Sequence, residues 1–361
     1  MSRTVIGGFA VVNANAFESA SLKAPLQFDY FDIGEHWRDE PVASFDPGSI
    51  GEYQSAVDRF SRGPGIWPRR LLKAEDLLVF GPRCMLLSAR HRVLIGGSPL
   101  NWHPPHLEAD FREFAKQDLG KLKFFDEAVV LPTPGFGVYG HWLLDFFPRL
   151  LLIREFLSSV DREIPVLSRP VPKWARKFIE YAGLEGVIKE YDKEVPFQIR
   201  HAYLPLVAKD GMVYSSECLR ESFAAISANV ASDPYEGAGG YSRLLVLRNK
   251  PPFASNQEEL YELLEPLGFR ATFPERLSFD DQVRLFRNAD VVVGEDGSAM
   301  HGIGFCRPNT HVVIWGRRNR TNLRHLSVAR ASKVRMALID SLGCEHAYRI
   351  NLDGVLNSLE R

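Results

Sequence analysis

Val291-Val292-Val293-Gly294-Glu295-Asp296-Gly297-Ser298-Ala299-Met300-His301 is the stretch on which the fold turns. The valine run reads as a strand buried on both faces, the kind found in parallel sheets. Glycines then mark a turn, and a helix is predicted from about Ser298. A helix start presents unpaired N–H groups and the positive end of the helix dipole, which suits a phosphate. Gly294 and Gly297 would let a diphosphate approach the backbone, although the same glycines also fit an ordinary tight turn. Glu295 and Asp296 would repel phosphate if they pointed inward, so they are expected to face sugar hydroxyls or solvent. Ligands of open α/β sheets sit beyond the carboxyl ends of the strands, where this turn lies. Gly294, Glu295, Asp296, Gly297, Ser298 and Ala299 are therefore candidate donor-binding residues.

The flanking sequence repeats the strand–helix rhythm. Arg243 to Arg248 reads as a strand with an apolar run from Leu244 to Leu247. A helix follows from Asn256, its cap, to Leu267, and Gly268 stops it. Phe269 to Phe273 is a strand, Ser278 to Asn288 a helix with Asp280 and Asp281 in its first turn, and His311 to Trp315 a further strand. Arg248 stands at a strand's carboxyl end, where a guanidinium can grip phosphate oxygens in pairs. Arg317, Arg318 and Arg320 follow the last strand at the same rim. Arg317 and His301 are candidate phosphate or acceptor contacts, though a short basic run is also what a solvated surface carries.

Upstream, Asp233 to Gly240 is the most linker-like segment, and it divides the chain into lobes at 1–235 and 236–361. Residues 1 to about 120 suggest short strands joined by turns, with a polar helix from Glu108 to Gly120. From Phe124 the order becomes βαβα: a strand from Ala128 to Leu131, a helix from Gly140 to Leu157 that Pro148 would bend, a strand from Ile164 to Leu167, a helix from Lys173 to Ala182 and a strand from His201 to Pro205. Ser216 to Val230 is a connecting helix. The expected class is α/β, with two Rossmann-like halves meeting at a cleft. On the helix from Gly140, His141 and Asp145 are four residues apart and share a face, with Arg149 a turn further on. Against otherwise apolar neighbours they read either as a general base with its orienting partner or as a core ion pair. Arg149 joins the candidate acceptor or phosphate contacts.

Gly135-Phe136-Gly137-Val138-Tyr139-Gly140 formally matches a dinucleotide-binding G-x-G-x-x-G. Pro132, Thr133 and Pro134 spoil its turn, and no acidic residue ends the next strand. Arg169 there leaves an NADP-dependent oxidoreductase as a minor alternative.

With 361 residues and a net charge of −1, the chain has room for two domains and no signature of a polyanion-binding surface. No nucleic-acid partner is expected. Cys84, Cys218, Cys306 and Cys344 lie far apart with no zinc or disulfide spacing, so buried reduced thiols are expected. Val5 to Val12 is too short to span a membrane and no signal peptide is visible, so a cytoplasmic location is expected. No Asp-x-Asp pair occurs, which favours metal-free stabilisation of a leaving diphosphate by arginine and the helix dipole.

Together these segments resemble glycosyltransferase family 61. The likeness is carried by Tyr241 to Arg248, Asn256 to Leu260, Leu267-Gly268-Phe269, Leu277-Ser278-Phe279, Gln282-Val283, Ala289 to Gly294, Gly297-Ser298-Ala299, Phe305 to Pro308, and the block His141-Trp142-Leu143-Leu144-Asp145 with Pro148-Arg149. The resemblance implies a GT-B-type, inverting, metal-independent enzyme. It would move a sugar from a nucleotide diphosphate, such as a UDP-sugar, to a glycan hydroxyl in capsular polysaccharide biosynthesis, peripheral to the inner membrane face. His141 or Asp145 would be the base. Asp296 stands where the family often has histidine, and His301 where it often has asparagine. Pro251 to Ser255 replaces a segment that commonly carries a second arginine. These departures motivate the alternative of a non-catalytic nucleotide-sugar-binding scaffold.

Overall fold

The strand Val291–Glu295 lies inside a six-stranded, wholly parallel sheet. Its neighbours in order are Arg270–Thr272, Arg243–Val246, Val291–Glu295 itself, His311–Gly316, Arg335–Asp340 and Phe45–Asp46. The computed structural model describes residues 70–88, 93–96, 110–117, 122–132, 134–210, 212–231, 242–248, 254–316, 322–344 and 347–360, with the strands at 5–6, 9–13, 30–32 and 45–46. Arg317, Arg318, Arg320, the linker at 233–240 and the segment 251–253 lie outside the described residues.

The chain folds into two units, residues 1–37 with 66–211 and residues 38–65 with 212–361. In the second unit the chain steps outward from Arg243–Val246 to Arg270–Thr272, then returns to the other side as Val291–Glu295. The strand order therefore reverses between Arg243–Val246 and Val291–Glu295. Such a switch point opens a crevice beyond the carboxyl ends of the two strands. Leu245, Val293, Val313 and Trp315 from the strands pack with Leu260, Leu264 and Phe269 in the core.

Local chemistry explains the helices here. Ser278 accepts from the Asp281 amide and caps Phe279–Arg287, whose first turn holds Asp280 and Asp281 as expected. Gly268, at φ 83°, ends the preceding helical segment. Asn256 stands at the expected N-cap position but makes no side-chain cap bond: its side chain accepts from the Ile350 N–H and donates to the Ile350 carbonyl, pinning a distant strand end. Ser216–Asn229, read from sequence as a connector, packs within the second unit against Leu323–Ser332 and Ser298–Phe305.

The first unit holds a ten-stranded mixed sheet. Its antiparallel part includes Arg70–Phe80, Met85–Ser88 and Val93–Gly96, in line with the short strands expected near the amino terminus. Its parallel part runs in the order Phe197–Pro205, Lys123–Val130, Val166–Ser168, Ile188–Glu190. Successive strands step one way from Lys123–Val130, and Phe197–Pro205 is added on its other side. A second reversal of strand order thus lies between Lys123–Val130 and Phe197–Pro205. The segment expected as a helix from Glu108 is helical at 110–114.

The long helix of this unit has three parts: Tyr139–His141, a π-helical Trp142–Phe146, and Phe147–Ser159. Pro148 is the cause. It has no N–H to give Leu144, so the ladder widens ahead of it and the Phe147 amide bonds the Trp142 carbonyl five residues back. Among the described residues no helix is long and apolar enough to cross a membrane.

Candidate active site

In the first unit, three neighbouring parallel strands deliver polar groups to one rim. Lys123–Val130 leads through a turn to His141 and Asp145. Phe197–Pro205 leads to Lys209. Val166–Ser168 leads to Arg169 and Trp174. The Asp145 carboxylate is the centre of this set. Its Oδ2 lies 2.5 Å from His141 Nδ1, and its Oδ1 accepts from Lys209 Nζ at 2.7 Å. Asp145 is wholly buried and Lys209 is 2% exposed, whereas the His141 side chain is 25% exposed.

Burial alone would raise the Asp145 carboxyl; Lys209, His141 and Arg149 outweigh it and hold the group well below the usual range. An ionised carboxylate only accepts, so the facing His141 Nδ1 carries a proton and Nε2 is the ring nitrogen turned away from Asp145. Exposure and bonding distinguish the two: the His141 side chain is partly exposed, and the buried Asp145 holds its ring.

Several neighbours fix the ring. Gly135 has φ 83°, and a Cβ there would lie 2.6 Å from His141 Cγ and Cδ2. Its lack of a side chain is what admits the imidazole. The Trp142 indole N–H donates to the Phe136 carbonyl at 2.7 Å, tying the turn to the helix. The formal G-x-G-x-x-G is thus the seat of the histidine. Arg169, the candidate for a 2′-phosphate, donates to the Pro82 carbonyl and has its guanidinium 5.8 Å from the centre of the Phe136 ring. Arg149 is fully buried, with its guanidinium 5.5 Å from the Phe146 ring centre, and so contributes charge beside Asp145 from inside.

In the second unit the switch point carries Arg248 and the turn after Val291–Glu295. Arg248 Nη1 donates to Glu295 Oε1 at 3.1 Å, and the Tyr348 hydroxyl donates to the same oxygen at 2.5 Å. The Glu295 side chain is 3% exposed and that of Arg248 37%. Glu295 was expected to face sugar hydroxyls or solvent; instead it lies beneath the arginine and aims it. Asp296 Oδ1 is 2.7 Å from His325 Nε2 and accepts from Asn322 Nδ2 at 2.9 Å, so this acid is also engaged within the unit.

The expected helix begins at Ser298 as a 3₁₀-helix, Ser298–Phe305. Gly297, Ser298 and Ala299 are half-buried at its mouth, where first-turn N–H groups have no partner within the helix. Gly294 has a packing reason: a Cβ would sit 2.4 Å from Met300 Sδ. Gly297 has extended backbone at φ 167°, and a Cβ there would make only an ordinary contact, 3.9 Å from the Glu295 carbonyl oxygen. His301 is buried, its ring centre 4.9 Å from that of His325. Arg317 lies outside the described residues.

The family model Glycosyltransferase 61 matches residues 139–313. The likeness to glycosyltransferase family 61 read from the sequence therefore holds over this region, and the match supports a glycosyltransferase. It takes in His141, Asp145, Lys209, Arg248 and the turn from Gly294 to Ala299. The mixed α/β architecture with parallel sheets is compatible with a Rossmann-like glycosyltransferase fold. No curated protein matches the chain.

Lys209, His325, Asn322 and Tyr348 were not singled out by sequence. Lys209 follows an apolar strand as Arg248 does, and that shared position is the signal that would have found it. Helix Leu323–Ser332, which carries His325, shows only a weak apolar stripe beyond the arginine run.

Proposed function

We propose that the chain transfers a sugar from a nucleotide diphosphate, a UDP-sugar, to a glycan hydroxyl with inversion at the anomeric carbon. The observation that carries this reading is the outward-facing His141 imidazole, held by the buried Asp145–Lys209 pair at a switch point in a family 61 region. His141 Nε2 takes the proton of the acceptor hydroxyl. The acceptor oxygen forms its bond to the anomeric carbon as the bond to the diphosphate oxygen breaks. Arg248 and the first N–H groups of Ser298–Phe305 receive the charge of the leaving diphosphate without a metal ion. Two Rossmann-like sheets, each with its own switch point, fit the GT-B class, and we assign the chain to it. A cytoplasmic role in capsular polysaccharide assembly, peripheral to the membrane, completes the proposal.

The test is transfer or hydrolysis with a panel of UDP-sugars, comparing wild type with His141→Ala and Asp145→Asn. Both variants should lose at least about a hundredfold in turnover, the range of general-base catalysis, while still binding UDP. Wild-type turnover in the His141→Ala protein would remove the base from the mechanism.

A further inference from the structure

Trp174 is the side chain at the first unit's rim that the proposed mechanism leaves without a task. It lies in the short 3₁₀ segment Lys173–Ala175, just past the carboxyl end of Val166–Ser168. That strand pairs directly with Lys123–Val130, through Val129 with Val166 and Val130 with Leu167. The connection bearing Trp174 therefore lies beside the one bearing His141, at the same edge of the sheet.

The indole is 44% exposed, unusual for the largest apolar side chain. It is nevertheless held. Its ring centre lies 6.3 Å from that of Tyr139 and 6.1 Å from that of Trp142, the latter edge-on at 77°. Tyr139 and Trp142 flank His141 on its helix. At the same edge of the sheet, where Glu190 pairs with Ser168, Arg176 Nη2 donates to Glu190 Oε1 at 2.9 Å, and the same oxygen accepts from the Val171 N–H at 3.0 Å. A held aromatic face, with planar polar groups at the same sheet edge, matches a pyranose ring, whose C–H face is apolar and whose rim is all hydroxyls.

We propose that Trp174, seated on Tyr139 and Trp142, is the stacking platform for a pyranose ring of the acceptor, so that the acceptor is a saccharide. This rests on the reading of His141 as the base that serves that acceptor. The platform sets which ring presents its hydroxyl to His141, and Arg176 and Glu190 are the polar groups that would read substituents at the ring's edge.

The test uses the full chain, fluorescently labelled, on an array of oligosaccharides ending in hexose, N-acetylhexosamine, uronic acid or pentopyranose rings. Wild type should bind a subset of them. Trp174→Ala should bind that subset roughly tenfold more weakly, equivalent to about 1.4 kcal/mol. Trp174→Phe, which keeps a smaller aromatic face, should fall between the two. Unfolding midpoints of both variants close to wild type would separate lost stacking from lost folding. Equal binding by wild type and Trp174→Ala overturns the proposal, and so does wild type that binds no saccharide. Failure of the function itself looks different: a saccharide bound through Trp174, with no transfer to it from any UDP-sugar, leaves the platform standing and removes the transferase reading.

Discussion

Lys209 Nζ and Asp145 Oδ1 meet at 2.7 Å with neither side chain more than 2% exposed, and the pair joins residues 64 positions apart. A pair this dry is unforgiving. Removing Lys209 leaves the buried Asp145 carboxylate to His141 and Arg149, at a cost of up to about 3–5 kcal/mol. Lys209→Met should therefore destabilise the first unit by that order in chemical denaturation, and Lys209→Arg by clearly less. A loss below about 1 kcal/mol, the scale of an ordinary hydrogen bond, would show that Asp145 does not depend on Lys209.

Gly135→Ala probes the seat of His141. The added Cβ would lie 2.6 Å from the imidazole and would need a left-handed backbone at φ 83°. The backbone alone costs about 1–2 kcal/mol, and the ring must move away from Asp145. Sugar transfer should fall at least roughly tenfold, about 1.4 kcal/mol of barrier, with UDP affinity by calorimetry unchanged. Full turnover in a folded Gly135→Ala protein would mean that the ring position is not critical.

The Arg248–Glu295 arrangement separates two effects. Arg248→Ala removes the proposed phosphate partner, and UDP binding should weaken by about 1.5–3 kcal/mol, the range for hydrogen bonds to charged groups. Glu295→Gln keeps a partner for the Tyr348 hydroxyl but frees the arginine to wander, so a smaller loss is expected. Equal UDP affinity in wild type and Arg248→Ala would defeat the assigned role.

Acid should loosen the first unit through Glu127. Hydrogen bonds from Arg162 first, with Tyr203 adding to them against the opposing effect of burial, bring this carboxyl from 4.5 down to about 2. The folded state binds the proton less readily than the unfolded chain. The resulting stability is fully present above pH 4.5 and is lost as pH falls from there toward 2. Asp145, also depressed, acts with the same sign. Glu127→Gln should lose less stability than wild type between pH 5 and pH 3, by on the order of 1 kcal/mol after screening is allowed for. Parallel losses would remove Glu127 from the acid response.

What the sequence made readable was everything governed by short range. The valine run gave a buried parallel strand, Ser278 a cap, Gly268 a stop, and His141 with Asp145 a shared helix face. Strand order was not readable, because pairing between distant segments leaves no local mark, and so the two switch points emerged only in three dimensions. The same blindness hid Lys209, whose partner lies three strands back in the chain. Asn256 misled for a related reason: its residue type favours a cap, but a tertiary bond to Ile350 prevailed. The π turn was half legible, since Pro148 announced a disturbance without specifying its form.

Phe197–Pro205 lies between Arg70–Phe80 and Lys123–Val130, yet it is the last strand of its sheet along the chain. On the ribosome, Asp145 emerges long before its counter-ion. A nascent chain that stops short of residue 197 has neither the sheet's middle nor the ammonium that makes a buried carboxylate tolerable. Pairings this distant are slow to close. The cluster of His141, Asp145 and Lys209 is therefore among the last things the unit acquires, and a half-finished molecule lacks it by construction.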